Sequence, residues 1–232
     1  MIDLKKVKAF WDGRSSLYQD VAFESIVNLE HDSEMLKIKI SAETDKVFSW
    51  LSDLKNKSIL DLGAGVGQWS FRFTDKGAKQ VVAVEYSADL VRIGREEARQ
   101  RNYQNVEFVI SNAEDFHTTQ IFDVIFISGL CVYLNDEQIS LLVNNLKYFS
   151  DKHSSIILRE GTGVNQRFEI TNKYSENLKT EYSAVYRTTE EYITIFKDAG
   201  FHLIRNENMF PEGHSLNKYP ETRLHIFQFE KI

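Results

Sequence analysis

The chain has 232 residues, 42% of them hydrophobic and 27% charged, with a formal charge of −6 and a pI of about 5.6. That length and balance fit one large α/β domain with a full core, and the acidic charge disfavours a nucleic-acid partner, because proteins that neutralise many phosphates are normally basic. Cys131 is the only cysteine, so no internal disulfide forms, which fits a reducing compartment. The N-terminal run MIDLKKVKAFWDGRSS mixes charges with apolar residues, and no later run has the apolar length that spans a bilayer. Neither signal peptide nor membrane anchor is therefore expected, and the expected location is cytoplasmic.

In chain order, residues 1–56 lack strand runs and read as a helical cap, with helices over 4–11, 16–29 and 33–54. In the third, Leu36, Ile40, Val47, Trp50, Leu51 and Leu54 fall loosely on one apolar face. From Ser58 the rhythm changes to strand, turn, helix. Strands are expected over 58–62, 80–85, 106–110, 122–128 and 155–159, with helices over 69–76, 88–101 and 136–149 between them. Such alternation argues for a parallel sheet with helices on both faces. A long insert over 162–189 follows, carrying Tyr174, Tyr182, Tyr186 and Arg187 without core periodicity. A helix over 190–199, closed by Gly200, leads into two strand-like runs, 201–206 and 223–230. Two strands without a crossover helix must pair antiparallel.

The central motif is ILDLGAGVGQ, an apolar strand entering alternating glycines and then a helix. Gly63 and Gly65 let the backbone turn sharply and approach a ligand where a Cβ would clash. A dinucleotide loop places its third glycine three residues after the second to admit a pyrophosphate; here the spacing is Gly-x-Gly-x-Gly and residue 68 is Gln. The next strand ends in VVAVEYS, placing Glu85 about 20 residues beyond the loop, where a carboxylate accepts both hydroxyls of a ribose. At a strand tip, its replacement is expected to weaken the ligand and leave folding nearly unaffected. Loop and acid together specify a nucleoside site.

With these residues the chain resembles the Rossmann-like, class I S-adenosylmethionine-dependent methyltransferases. ILDLGAGVGQWS, VVAVEYS, SNAEDF and FDVIFISGLCVYLND match four motifs of that family in order. The resemblance implies a seven-stranded, mostly parallel sheet ending in an antiparallel hairpin. It also implies one methyltransferase domain over 1–232, made of the cap and a 57–232 core with its insert, and S-adenosylmethionine as cofactor. By resemblance, Gly63, Ala64 and Gly65 pass under the methionine and ribose, and Asp61 holds the ammonium group. Glu85 takes the ribose and Tyr86 packs on the adenine. Asn112, beside Ala113 and Glu114, stands where the family mostly has an Asp contacting the adenine amine; an amide oxygen accepts that bond too. Ser128 and Gly129 lie near the methionine end.

Catalytic groups in open α/β sheets sit at the carboxyl ends of strands. This points to Tyr133, where many relatives carry His, and to Arg159 and Glu160. Glu160 is the candidate base or orienting carboxylate. His214, between the last two strands, is expected to enter from the other side. Arg14 and Tyr18 are expected in an N-terminal lid, Arg14 pairing with the methionine carboxylate. The 162–189 insert is read as the substrate wall. No His/Cys/Asp cluster has metal-ligand spacing, and in-line methyl transfer needs alignment and proton removal more than a metal. The favoured acceptor is a small molecule, by O-methylation of a sugar or natural-product precursor. The alternatives are N-methylation of a protein N-terminus or peptide, a cofactor-sensing module, and an NAD-dependent oxidoreductase, against which the loop spacing speaks. No nucleic-acid or membrane partner is expected, and the oligomeric state is not readable.

Overall fold

The computed structural model describes residues 1–17, 21–28, 30, 32–51, 53–175 and 180–232. Helix α1 (Leu4–Arg14) is capped by Asp3, whose carboxylate accepts from the Lys5 and Lys6 N–H groups. Asp32 does the same for α2 (Ser33–Trp50), accepting from Glu34 and Met35. Both caps satisfy donors that a first helical turn leaves without partners. The continuous helix expected over 16–29 does not form; its described part holds the 3-10 turns Ser15–Leu17 and Phe23–Ser25. Arg14 gives the reason. Its guanidinium donates to the carbonyls of Ser25, Ile26 and Asn28 at 2.7, 2.7 and 3.1 Å, oxygens that would otherwise need helical partners.

The core then alternates β1 (Ser58–Leu62), α3 (Gln68–Asp75), β2 (Gln80–Glu85), α4 (Ala88–Gln100), β3 (Val106–Ile110), β4 (Val124–Ser128), α5 (Asp136–Asn145) and β5 (Ser155–Gly163). These strands pair in parallel. Next come β6 (Phe168–Ser175), β7 (Thr180–Tyr186), α6 (Thr189–Asp198), β8 (Phe201–Asn208) and β9 (Thr222–Lys231). The sheet order is β3-β2-β1-β4-β5-β9-β8, with β9 antiparallel to both its neighbours. This is the expected seven-stranded sheet with its terminal hairpin.

The insert departs from expectation. β5 runs four residues past Arg159, because β9 pairs with it along its whole length. Most of the rest forms a separate two-stranded hairpin, β6 with β7. Arg187 follows β7 and is fully buried. It donates to the carbonyls of Cys131 and Leu134 and to Asp136, so it pins the hairpin to the β4–α5 loop.

Alternate residues of each strand feed opposite layers. On one face, Val47 and Trp50 of α2 and Phe73 of α3 cluster with Ile59, Val81, Phe126, Ile157 and Ile226. On the other, α5 and α6 supply Ile139, Leu142, Tyr192 and Phe196 against Leu60, Ile125, Leu158 and Phe227. Phe126 is fully buried, with Trp69 and Phe73 rings 4.8 and 5.2 Å from its own. Truncating it to Ala would cost about 3–5 kcal/mol. Strand order reverses between β1 and β4, and a crevice opens there above the strands' carboxyl ends, where open α/β sheets bind ligands.

Candidate active site

A cavity of about 300 Å³ fills that crevice, and its lining joins residues from nine separate segments. Its floor is the loop after β1. Gly65 has φ +58, and a Cβ there would lie 2.9 Å from Val27 Cγ1, so only glycine keeps this turn beneath the strap of residues 25–28. The Gly65 N–H donates to Glu85 Oε2 at 2.9 Å, and Ser87 N–H donates to Oε1 at 2.9 Å. Glu85 is thereby only 5% exposed, and burial raises its pKa despite those bonds. The acid sits inside the protein and holds the loop, so the expected neutrality of its replacement for folding does not follow.

Gly63, Ala64, Gly65, Glu85, Tyr86, Ser128, Gly129, Tyr133 and Glu160 all border this cavity. The other expected residues stand elsewhere. Asp61 is buried behind the loop and accepts from Ser70 Oγ at 2.6 Å, capping the start of α3, whose N-cap Gly67 offers no side chain. Burial lifts its pKa to about 7. Asn112 is exposed and donates to Asp115 at 2.8 Å. Ala113 packs in the core, and the Glu114 carbonyl accepts from the Asn145 amide. None of these three borders the cavity. Arg14 reaches the strap carbonyls instead of the cavity. His214 Nδ1 accepts from Leu216 N–H at 3.1 Å, with its ring stacked on Phe210, so it braces its own loop. Tyr18 lies outside the described residues.

The opposite wall is aromatic and comes from the hairpin and α1. The Tyr133, Tyr182 and Tyr186 hydroxyls form a chain, each step 3.2 Å. The Trp11 ring meets Tyr133 edge-on with centroids 5.2 Å apart. Gly161 makes this wall possible, because a Cβ there would come within 2.9 Å of the Tyr186 ring. Burial raises the pKa of all three tyrosines, which therefore stay neutral. Glu160, 1% exposed, accepts from Cys131 N–H at 2.6 Å and Gly161 N–H at 3.0 Å. Burial outweighs these bonds and lifts its carboxyl to about 7. Across the strand pair, His225 has its ring nitrogens 2.9 and 2.8 Å from the side-chain oxygens of Asn208 and Asn206. Burial lowers its pKa to about 4, so it is neutral near pH 7.

Sequence reasoning missed a group of charged side chains in the same cavity: Lys39 and Glu43 of α2 and Arg72 of α3. They join Arg159, whose guanidinium pairs with Glu43 Oε1 at 2.5 Å and donates to Ser128 Oγ at 2.8 Å. The i,i+4 spacing of Lys39 and Glu43 was visible, but it reads equally as a solvated helix face.

Backbone replaces side chains on the cavity floor, and the buried carboxylate of Glu85 stands beside it.

A family model described as a methyltransferase domain matches residues 53–200. Phosphoethanolamine N-methyltransferase 1 of Caenorhabditis elegans is 21% identical over 210 residues, 89% of this chain and 42% of the relative. Its namesake in Triticum aestivum is 26% identical over 165 residues, 68% of this chain and 31% of the relative. The chain thus spans less than half the length of these curated relatives. Among solved structures, magnesium protoporphyrin IX methyltransferase from Synechocystis with bound S-adenosylmethionine has TM-score 0.67 at 16% identity, covering 100% of this chain and 99% of that one. The 1,6-didemethyltoxoflavin-N1-methyltransferase of Burkholderia thailandensis has TM-score 0.70 at 13% identity, covering 100% and 91%. At these identities the structural likeness speaks for the fold, and the family match, running from before β1 to just past α6, carries the classification. The chain belongs to the methyltransferase-domain family, and its fold is that of the solved methyltransferases it resembles.

Proposed function

We propose that residues 1–232 form one catalytic unit that transfers a methyl group to the nitrogen of a small-molecule amine. One observation carries this reading: the glycine loop and Glu85 share a single cavity with Glu160 and the tyrosine wall. S-adenosylmethionine supplies a methyl carbon already activated by its sulfonium. The protein's part is to align the acceptor, exclude water and accept a proton. Glu85 and the backbone of Gly63, Ala64 and Gly65 hold the nucleoside. Trp11, Tyr133, Tyr182 and Tyr186 enclose the acceptor, and neutral aromatic faces favour a cationic ammonium. Glu160, poised at about 7, is matched to taking the ammonium proton at neutral pH, leaving the lone pair free to attack. The similarity to phosphoethanolamine N-methyltransferases supports an amine.

O-methylation, the preference drawn from the sequence, has one observation in its favour: the three linked tyrosine hydroxyls offer a path for a hydroxyl proton. The test is transfer from labelled S-adenosylmethionine to panels of small amines, small alcohols and short peptides, read by mass spectrometry. Methylation of amines alone is expected. Transfer only to alcohols or peptides refutes the acceptor assignment, and absence of S-adenosylmethionine binding refutes the whole reading.

A further inference from the structure

The cavity wall opposite the tyrosines holds three cations. Lys39, Arg72 and Arg159 all border the same space, and the positive charge of Arg159 acts unfavourably on both Lys39 and Arg72. Three like charges gathered in a partly desolvated space repel one another unless anions balance them. Among the described residues, the anion in contact with this group is Glu43, paired with Arg159 and 4.0 Å from the Lys39 ammonium. Glu24 and Asp61 act on Arg72 more weakly than Glu43 does, and Glu30 is taken by Lys218 at 2.6 Å.

Two of the cations also have unused donors. The Arg72 guanidinium stacks on Trp69, 4.6 Å from its ring, and has no hydrogen bond or ion pair among the described residues. Arg159 is 8% exposed, and its buried Nε lacks a hydrogen-bond partner. Buried donors without partners are uncommon, and each calls for an explanation.

Location indicates what would balance them. Beyond the inner cavity lies a second chamber of about 770 Å³, walled by the β6–β7 hairpin and residues 216–222. Lys39, Tyr182 and Tyr186 border both spaces, so Lys39 stands where the two meet, while Arg72 and Arg159 border the inner cavity, as Glu160 does.

We propose that Lys39, Arg72 and Arg159 form a recognition site for an anionic group of the acceptor, a phosphate or a carboxylate, held in the inner cavity while the nucleophile faces Glu160. This rests on reading the inner cavity as the methyl-transfer site. The surplus of positive charge suits a phosphate dianion better than a carboxylate. Arginine offers paired N–H donors to either group.

The test uses inorganic phosphate as probe, titrated at constant ionic strength into protein saturated with S-adenosylhomocysteine and followed by calorimetry and thermal shift. Saturable binding to the wild type is expected. Arg72→Gln and Lys39→Gln should each weaken it at least about tenfold, while S-adenosylhomocysteine affinity stays within about twofold. Arg72→Lys should recover part of the binding, which a merely structural role for the residue would not predict. Failure of phosphate to bind the wild type overturns the proposal, as does unchanged binding in both Gln variants. So does loss of S-adenosylhomocysteine affinity with 5′-methylthioadenosine affinity retained, because the cations then serve the cofactor's own carboxylate. If S-adenosylhomocysteine itself fails to bind, the methyl-transfer reading fails, and the same titration of ligand-free protein still reads the cation site.

Discussion

Glu85 offers the most direct test, because one carboxylate holds the glycine loop and is also the proposed ribose acceptor. Its two oxygens accept from the N–H groups of Gly65 and Ser87, each at 2.9 Å, and both of those residues are buried. Glu85→Ala leaves two buried donors without partners, at about 1–3 kcal/mol each. Relief of the carboxylate's desolvation offsets part of this, so the net loss should be about 2–4 kcal/mol. For a protein of this size that lowers the unfolding temperature by roughly 5–15 °C. On the proposed ribose contact, the variant also loses about 1.5–3 kcal/mol in cofactor binding, or about 10- to 150-fold in Kd. Glu85→Gln keeps the shape and one acceptor oxygen and should fall between wild type and Ala on both measures. Scanning calorimetry reads the first effect and S-adenosylhomocysteine titration the second. An unfolding temperature within about 2 °C of wild type, with affinity within about twofold, would refute the double role.

Gly65→Ala meets both a positive φ and the Val27 methyl at 2.9 Å; strain of about 1–3 kcal/mol should displace the 25–28 strap and weaken S-adenosylhomocysteine binding at least about tenfold, and wild-type affinity would show that the strap yields freely. Glu160, raised to about 7 when folded, binds its proton more tightly than in the unfolded chain. Its contribution to stability is therefore full below the unfolded carboxylate pKa and declines as pH rises through about 7. His225, lowered to about 4, acts oppositely, its contribution fading as pH falls toward 4, so the Glu160 effect is read as wild type minus Glu160→Gln in urea unfolding. That difference should move against the wild type between pH 5 and pH 8, at roughly 3 kcal/mol as an upper limit; a difference independent of pH refutes the burial argument. Arg187→Ala strips donors from two carbonyls and from Asp136 and should cost about 3 kcal/mol or more by chemical denaturation. A loss below about 1 kcal/mol would mean that the hairpin is anchored by other contacts.

Local pattern was enough wherever a short segment carries its own instructions. β1, β2 and β3 begin and end where their apolar runs predict, and α6 starts at the Thr188–Glu191 capping box and closes at Gly200 with φ +87. The glycine loop and Glu85 were legible for the same reason: a tight turn and a strand-end acid leave fixed marks in a few consecutive residues. Distant pairing decided the rest. Whether β5 stops at Arg159 or continues to Gly163 depends on β9, some sixty residues downstream. Whether residues 16–29 coil into a helix depends on where the Arg14 guanidinium finds its acceptors. Asp61, which the family resemblance assigns to the cofactor's ammonium group, accepts from Ser70 Oγ of the helix across the turn, a partner nine residues on that no local pattern announces. The grouping of Lys39, Arg72 and Arg159 has no sequence signature at all, since three separate elements bring the cations together. The sequence by itself determined the strand-and-helix rhythm, the glycine loop and the family. Tertiary structure alone decided which polar groups face the cavity, because a side chain's direction is set by the partners that satisfy it, and those partners lie far away in the chain.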